Sequence, residues 1–142
     1  MRREQGFSLI ELLIVVAIIS IVAAIAIPNF SSSKIAANEA SAISSVRTII
    51  TAQATYASTV GNGAFAAALS DLSATSPPLI DTVLSAGEKS GYTFDCVADV
   101  DTYTITANPT AQGVTGIRSF TSDQIGIIYD DQGRVVGNQG TY

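Results

Sequence analysis

Histidine and tryptophan are absent from this chain, cysteine and methionine occur once each, and only 13% of its 142 residues are charged. Without histidine there is no Ser–His or Cys–His couple for nucleophilic catalysis and no imidazole for a metal site. The lone Cys96 cannot close an internal disulfide, so it says little about redox compartment. It lies in a segment of strand character, Tyr92 to Ala98, and reads as a small buried hydrophobe, with an intermolecular bridge as the lesser alternative. Basic clusters are missing too. Lys and Arg number 7 against 12 Asp and Glu, and apart from Arg2 and Arg3 they are scattered. This argues against nucleic acid as the main partner, and the net charge of -5 reads as a solubility feature. No cofactor is implied, and an enzyme is the most distant function class.

What the chain has is apolar residues in one dense block. Phe7 to Ile27 is a run of 21 residues whose only charged member is Glu11. As a helix rising about 1.5 Å per residue it spans about 30 Å, the thickness of a bilayer core. Pro28 and Asn29 break the apolar pattern. Arg2 and Arg3 precede it, which places the N-terminus in the cytoplasm and the remainder outside. Three readings compete: a cleaved secretory signal with Ala24-Ile25-Ala26 as its small-residue site, an inert signal anchor, and the precursor of a polymerising subunit. Length disfavours the first, since the apolar region of a signal peptide is about 7 to 15 residues.

Glu11 discriminates among them. A carboxylate in an apolar membrane helix costs on the order of 2.5 kcal/mol or more. An export signal or an inert anchor gains nothing from it. No Lys, Arg or His lies between Phe7 and Ser33 to neutralise it within the chain. Cleavage just before Phe7 creates an α-amino group four residues away. In a staggered array of helices, that amine on one subunit meets Glu11 of its neighbour, which neutralises both charges and fixes the axial register.

In Gly6-Phe7-Ser8-Leu9-Ile10-Glu11 the chain resembles the class III signal of type IV pilins and of the pseudopilins of type II secretion. The resemblance covers roughly residues 1 to 57. It implies a membrane aspartyl peptidase, the prepilin peptidase, that cuts after Gly6 and N-methylates Phe7. It implies a role in methylation and assembly for Glu11, and a bend or melted turn of a long helix at Pro28. It further implies a homopolymeric filament built by an inner-membrane platform protein and a cytoplasmic ATPase. The subunit waits in the inner membrane, head outside, before entering a cell-surface or periplasmic filament. Removal of residues 1–6 lowers Lys plus Arg from 7 to 5 and Asp plus Glu from 12 to 11, leaving a side-chain charge of -6.

The expected fold is α+β: a long N-terminal helix, membrane-spanning then amphipathic, packed on a C-terminal antiparallel sheet in the lollipop arrangement of pilins. Residues 1–6 form the leader, 7–30 the polymerisation helix, 31–58 its amphipathic half and 59–142 the head. Ile35, Ile43, Val46, Ile50, Ala54 and Ala57 recur at helical spacing and are expected to form the buried face, with Asn38, Ser41, Ser45, Thr48, Thr51 and Thr55 mostly elsewhere. Gly61-Asn62-Gly63 ends the helix. Residues 59–90 read as mostly loop, with short helical pieces at Leu69–Leu72 and Ile80–Ser85. Within 91–142, strands are expected over Tyr92–Val97, Tyr103–Ala107, Arg118–Thr121 and Ile125–Tyr129, with a short edge strand over Arg134–Val136.

Asp99 and Asp101, at a hairpin tip, are weak calcium candidates, because calcium favours clustered oxygen ligands; turn chemistry alone explains them. Ser31 to Ser33 is a weak candidate for modification. Three functions follow in order: subunit of a type IV pilus-like filament serving adhesion, motility or DNA uptake; pseudopilin acting in protein export; and membrane-anchored binding module. A missing C-terminal disulfide loop favours the second, and a Ser/Thr- and Ala-rich head without a clear calcium loop favours the first.

Overall fold

The computed structural model describes residues 6–99 and 101–138. The chain divides into two compact units, Met1–Lys34 and Ile35–Tyr142, and one helix, α1 (Leu9–Thr59), contributes to both.

In the first unit α1 is apolar around its whole circumference. Large apolar side chains from Phe7 to Phe30 are between 48% and 88% exposed. Its most apolar stretch has a mean hydropathy of 3.0, is long enough to cross a membrane, and is not buried at all within the chain. A helix of this kind needs a surrounding apolar medium, lipid or other helices. Polar side chains here bond back to the helix itself. The Ser20 hydroxyl donates to the Val16 carbonyl at 2.8 Å, and Ser32 and Ser33 donate to the carbonyls of Pro28 and Asn29. Pro28 lies inside α1 and contributes no N–H.

In the second unit the C-terminal half of α1 joins a six-stranded antiparallel sheet in one hydrophobic cluster. The sheet is a meander of neighbouring strands in chain order: β1 (Glu88–Lys89), β2 (Tyr92–Ala98), β3 (Tyr103–Pro109), β4 (Phe120–Asp123), β5 (Ile127–Asp130) and β6 (Val135–Asn138). Alternation in β2 and β3 buries Tyr92, Phe94, Cys96, Tyr103, Ile105 and Ala107 and exposes Thr93, Asp95, Val97 and Thr104. Two short helices, α2 (Leu69–Ser73) and α3 (Thr82–Ser85), add Leu69, Leu72 and Leu84 to the core. The expected α+β class and the hairpin over β2 and β3 are present.

Three local expectations are corrected. The buried face of α1 consists of Glu39, Ala42, Ser45, Val46, Ile49, Ala52 and Gln53. Ile35, Ile43, Ile50 and Ala57 flank it, and Ala54 is exposed. Counting apolar residues alone rotated the face, because two of its members are hydrogen-bonded polar side chains. The third and fourth strands start two residues later than expected. Arg118 stands before β4 and serves the helix, while Asp123 to Gly126 form a turn with Gly126 at a φ of +81°. Finally β1, within the expected loop, is two residues long and too short to show alternation.

The helix terminator works by backbone geometry. Asn62 and Gly63 adopt φ of 49° and 97°, and the Gly63 N–H donates to the Ala57 carbonyl at 2.9 Å. A Cβ on Gly61 would collide with the Ala64 carbonyl.

Candidate assembly site

The residues singled out at the N-terminus fall at the very start of α1. Gly6, Phe7 and Ser8 precede the helix and belong to no regular element. Phe7 is 88% exposed. A Cβ built on Gly6 meets nothing within 4 Å, so nothing in the chain's own packing demands glycine there. The rest of the leader, with Arg2 and Arg3, lies outside the described residues.

Ser8 occupies the N-cap. The Leu12 N–H donates to its carbonyl at 3.3 Å, and its own N–H donates to Glu11 Oε2 at 2.9 Å. This is the carboxylate half of a capping box, and it sets a negative charge against the positive end of the helix. The signal was present in the sequence as Ser8-x-x-Glu11. Glu11 has no cation among the described residues, and only one of its two oxygens is engaged there. The second is open to a donor from outside the chain.

Further along α1, polar side chains tie the helix to the head. Glu39 is 7% exposed. Its Oε1 accepts from the backbone N–H groups of Ile117 and Arg118, at 3.0 and 3.1 Å, and its Oε2 from Arg118 Nε and Nη2, at 2.9 and 2.7 Å. Burial pushes this carboxyl up, but the guanidinium and the two backbone donors together outweigh it and hold the group below its ordinary range. Asn38, one residue earlier, donates to the Thr115 carbonyl at 2.8 Å, and Tyr92 Oη donates to the Arg118 carbonyl at 2.8 Å. The Arg118 guanidinium lies 5.5 Å from the Phe120 ring centre. Room for this strap, residues 115–118 ahead of β4, depends on Gly116, where a Cβ would overlap the Tyr92 hydroxyl, and on Gly91, where it would press on Thr115.

Gln53 does the same work further along. It is fully buried, accepts from the Ala66 N–H at 2.8 Å, and donates to the Ala66 carbonyl at 3.0 Å and to Cys96 Sγ at 3.1 Å. Burial raises the Cys96 thiol pKa, only partly offset by that bond, so Cys96 is an unreactive core residue. Asp99 and Asp101 stand at the β2–β3 turn, where the Asp99 N–H donates to the Thr102 carbonyl at 2.8 Å. Among the described residues no three acidic, cysteine or histidine side chains converge on a metal position. Asp130 is engaged by the Gln132 and Arg134 N–H groups and the Arg134 guanidinium.

Comparison with known proteins points to the N-terminal segment. Residues 1–27 match the family model described as the prokaryotic N-terminal methylation motif. The chain is 48% identical over 54 residues to the type IV major pilin protein PilA of Myxococcus xanthus, covering 38% of this chain and 24% of that protein. It is 56% identical over 39 residues to the type IV wide pilus major component PilA4 of Thermus thermophilus, covering 28% of this chain and 30% of that one. The matched stretches thus span less than a third of each relative's length. No solved structure matches the chain. Through this motif and the apolar stem behind it, the N-terminal stretch of the chain is similar to that of type IV pilins.

Proposed function

We propose that the chain is a structural subunit of a type IV pilus-like filament, matured by prepilin peptidase through cleavage after Gly6 and N-methylation of Phe7. The observation that carries this reading is a single acid, Glu11, at the head of a helix whose large apolar side chains are all exposed within the chain as far as Phe30. Lipid can cover that surface while the subunit is stored, with its N-terminus in the cytoplasm. Only other copies of the helix can cover it once the subunit leaves the membrane. Up to 21 apolar residues per subunit must be carried across that change of surroundings, so assembly requires a machine: an inner-membrane platform and a cytoplasmic ATPase.

Glu11 and the Phe7 amine supply the register. In the monomer, Glu11 is held by the Ser8 N–H with one oxygen. In the filament its open oxygen accepts from the methylated amine of a neighbour, so that neither charge is left alone in apolar surroundings. The filament serves adhesion, motility or DNA uptake in this reading. Export by a type II secretion pseudopilus is the second reading, favoured by one feature, the buried and unpaired Cys96 in place of a disulfide loop. Deletion of the chain separates them: loss of retractile surface fibres supports the pilus, and loss of exported proteins with fibres intact supports the pseudopilus.

A further inference from the structure

From Ile35 onward the chain carries four basic and ten acidic side chains. Three of the four bases are engaged: Lys89 with Asp81 at 2.8 Å, Arg118 with Glu39 at 2.7 Å, and Arg134 with Asp130 at 2.8 Å. Arg47 differs. It sits on α1, half-buried, with no carboxylate partner among the described residues, and its Nε is buried without a hydrogen bond. It is the one such orphaned side-chain atom among the described residues. A half-buried guanidinium with no counter-charge is a cost to the isolated chain.

Apolar groups on the same part of α1 extend this surface. Ile43 and Ile50, four residues before and three after Arg47, are both partly exposed. The β4–β5 turn approaches Ile50, since a Cβ on Gly126 would lie 3.7 Å from its Cγ2, and the adjoining Ile125 is 68% exposed. An arginine set among aliphatic side chains is the composition of an interface centre, where arginine is enriched and lysine depleted. Its electrostatic complement is present on the same molecule. Glu88, Asp95, Asp101 and Asp131 are exposed and make no ion pair among the described residues. All four belong to strands or turns of the sheet, not to α1. A filament grows by heterologous contact, in which one patch meets a different patch of the next copy.

We infer that Arg47 is an intersubunit contact residue: its guanidinium takes a sheet-side carboxylate of a second copy of this chain, and Ile50 and Ile125 pack beside that contact. This rests on the filament reading and names the head contact that accompanies the stem. Charge that is unsatisfied in the monomer is satisfied on assembly, so Arg47 favours the polymer over the stored subunit.

The test uses full-length chain expressed in its own host. Arg47→Gln and Arg47→Glu should each yield membrane-held subunit with N-methyl-Phe7 but sheared filament reduced by more than about tenfold, the reversal more severely. Combining Arg47→Glu with one of Glu88→Arg, Asp95→Arg, Asp101→Arg or Asp131→Arg should restore filament. Because a variant can fail by misfolding, Arg47→Lys filaments are also treated with a zero-length carbodiimide. The expected product is a dimer ladder whose linked peptides join position 47 to one of those four carboxylates in another copy. Filaments of Arg47→Gln as abundant and as salt-resistant as the parent, or carbodiimide products that leave position 47 unlinked to another copy, would overturn the inference. A parent chain that forms no filament at all would instead refute the reading beneath it.

Discussion

Glu39 and Arg118 stand 79 residues apart in sequence and 2.7 Å apart in space, joined by two side-chain hydrogen bonds while two backbone N–H groups close on the same carboxylate. The pair ties α1 to the strap that leads into β4. A nearly buried carboxylate accepting four bonds leaves several donors orphaned when it is removed. Glu39→Ala should therefore cost about 3 kcal/mol, read as a lowered midpoint of urea unfolding of the detergent-solubilised chain. Arg118→Lys should recover only part of the Arg118→Ala loss, since an ammonium cannot supply the paired geometry of Nε and Nη2.

Acid should loosen this clamp. Glu39 and Asp130 are both held below their ordinary values of 4.5 and 3.8. In each, burial pushes upward and the arginine and backbone donors more than compensate. A depressed carboxyl binds fewer protons folded than unfolded. Its stabilisation is complete above the ordinary value and is lost as pH falls through the depressed one. Stability measured from pH 6 down to about pH 2 should decline from about pH 4.5, and Glu39→Gln should flatten that decline while starting from a lower plateau.

The alkaline side has the opposite sign. Burial raises Tyr92 and Tyr103 from 10.0 to about 12. Their contribution is full below pH 10 and declines as pH rises toward 12. Tyr103→Phe keeps the ring beside Phe65, whose centre lies 4.7 Å away, and should flatten the loss between those limits without lowering stability at neutral pH by more than about 1 kcal/mol.

Gln53 tests the second tie. Gln53→Leu preserves bulk but leaves both backbone groups of Ala66 without a partner, and should cost about 1–3 kcal/mol. Amide hydrogen exchange should show the Ala66 N–H exchanging faster in that variant, with the β2–β3 ladder little changed.

The sequence displayed what depends on periodicity and composition. The apolar run from Phe7 to Ile27, the alternation of Tyr92–Val97 and Tyr103–Ala107, and the Gly61–Gly63 stop each follow from local rules, and each appears in the fold. The buried face of α1 was harder, because its contacts are long-range: Glu39 reaches Arg118, and Gln53 reaches Ala66 and Cys96. A search for apolar spacing passes over a glutamate and a glutamine whose partners lie in loops. One trace was available. Steps of seven from Val46 land on Glu39 and Gln53, the same side of a helix. At the N-terminus, Ser8-x-x-Glu11 spelled the cap, but Glu11 read as a residue awaiting a cation concealed its backbone partner.

The filament reading turns on where the mature chain begins and what its first residue carries. Mass spectrometry of the N-terminal peptide from sheared filaments measures both. The expected result is N-methyl-Phe7 as the first residue. A chain beginning at Ile27, or one retaining Met1 to Gly6, would contradict it.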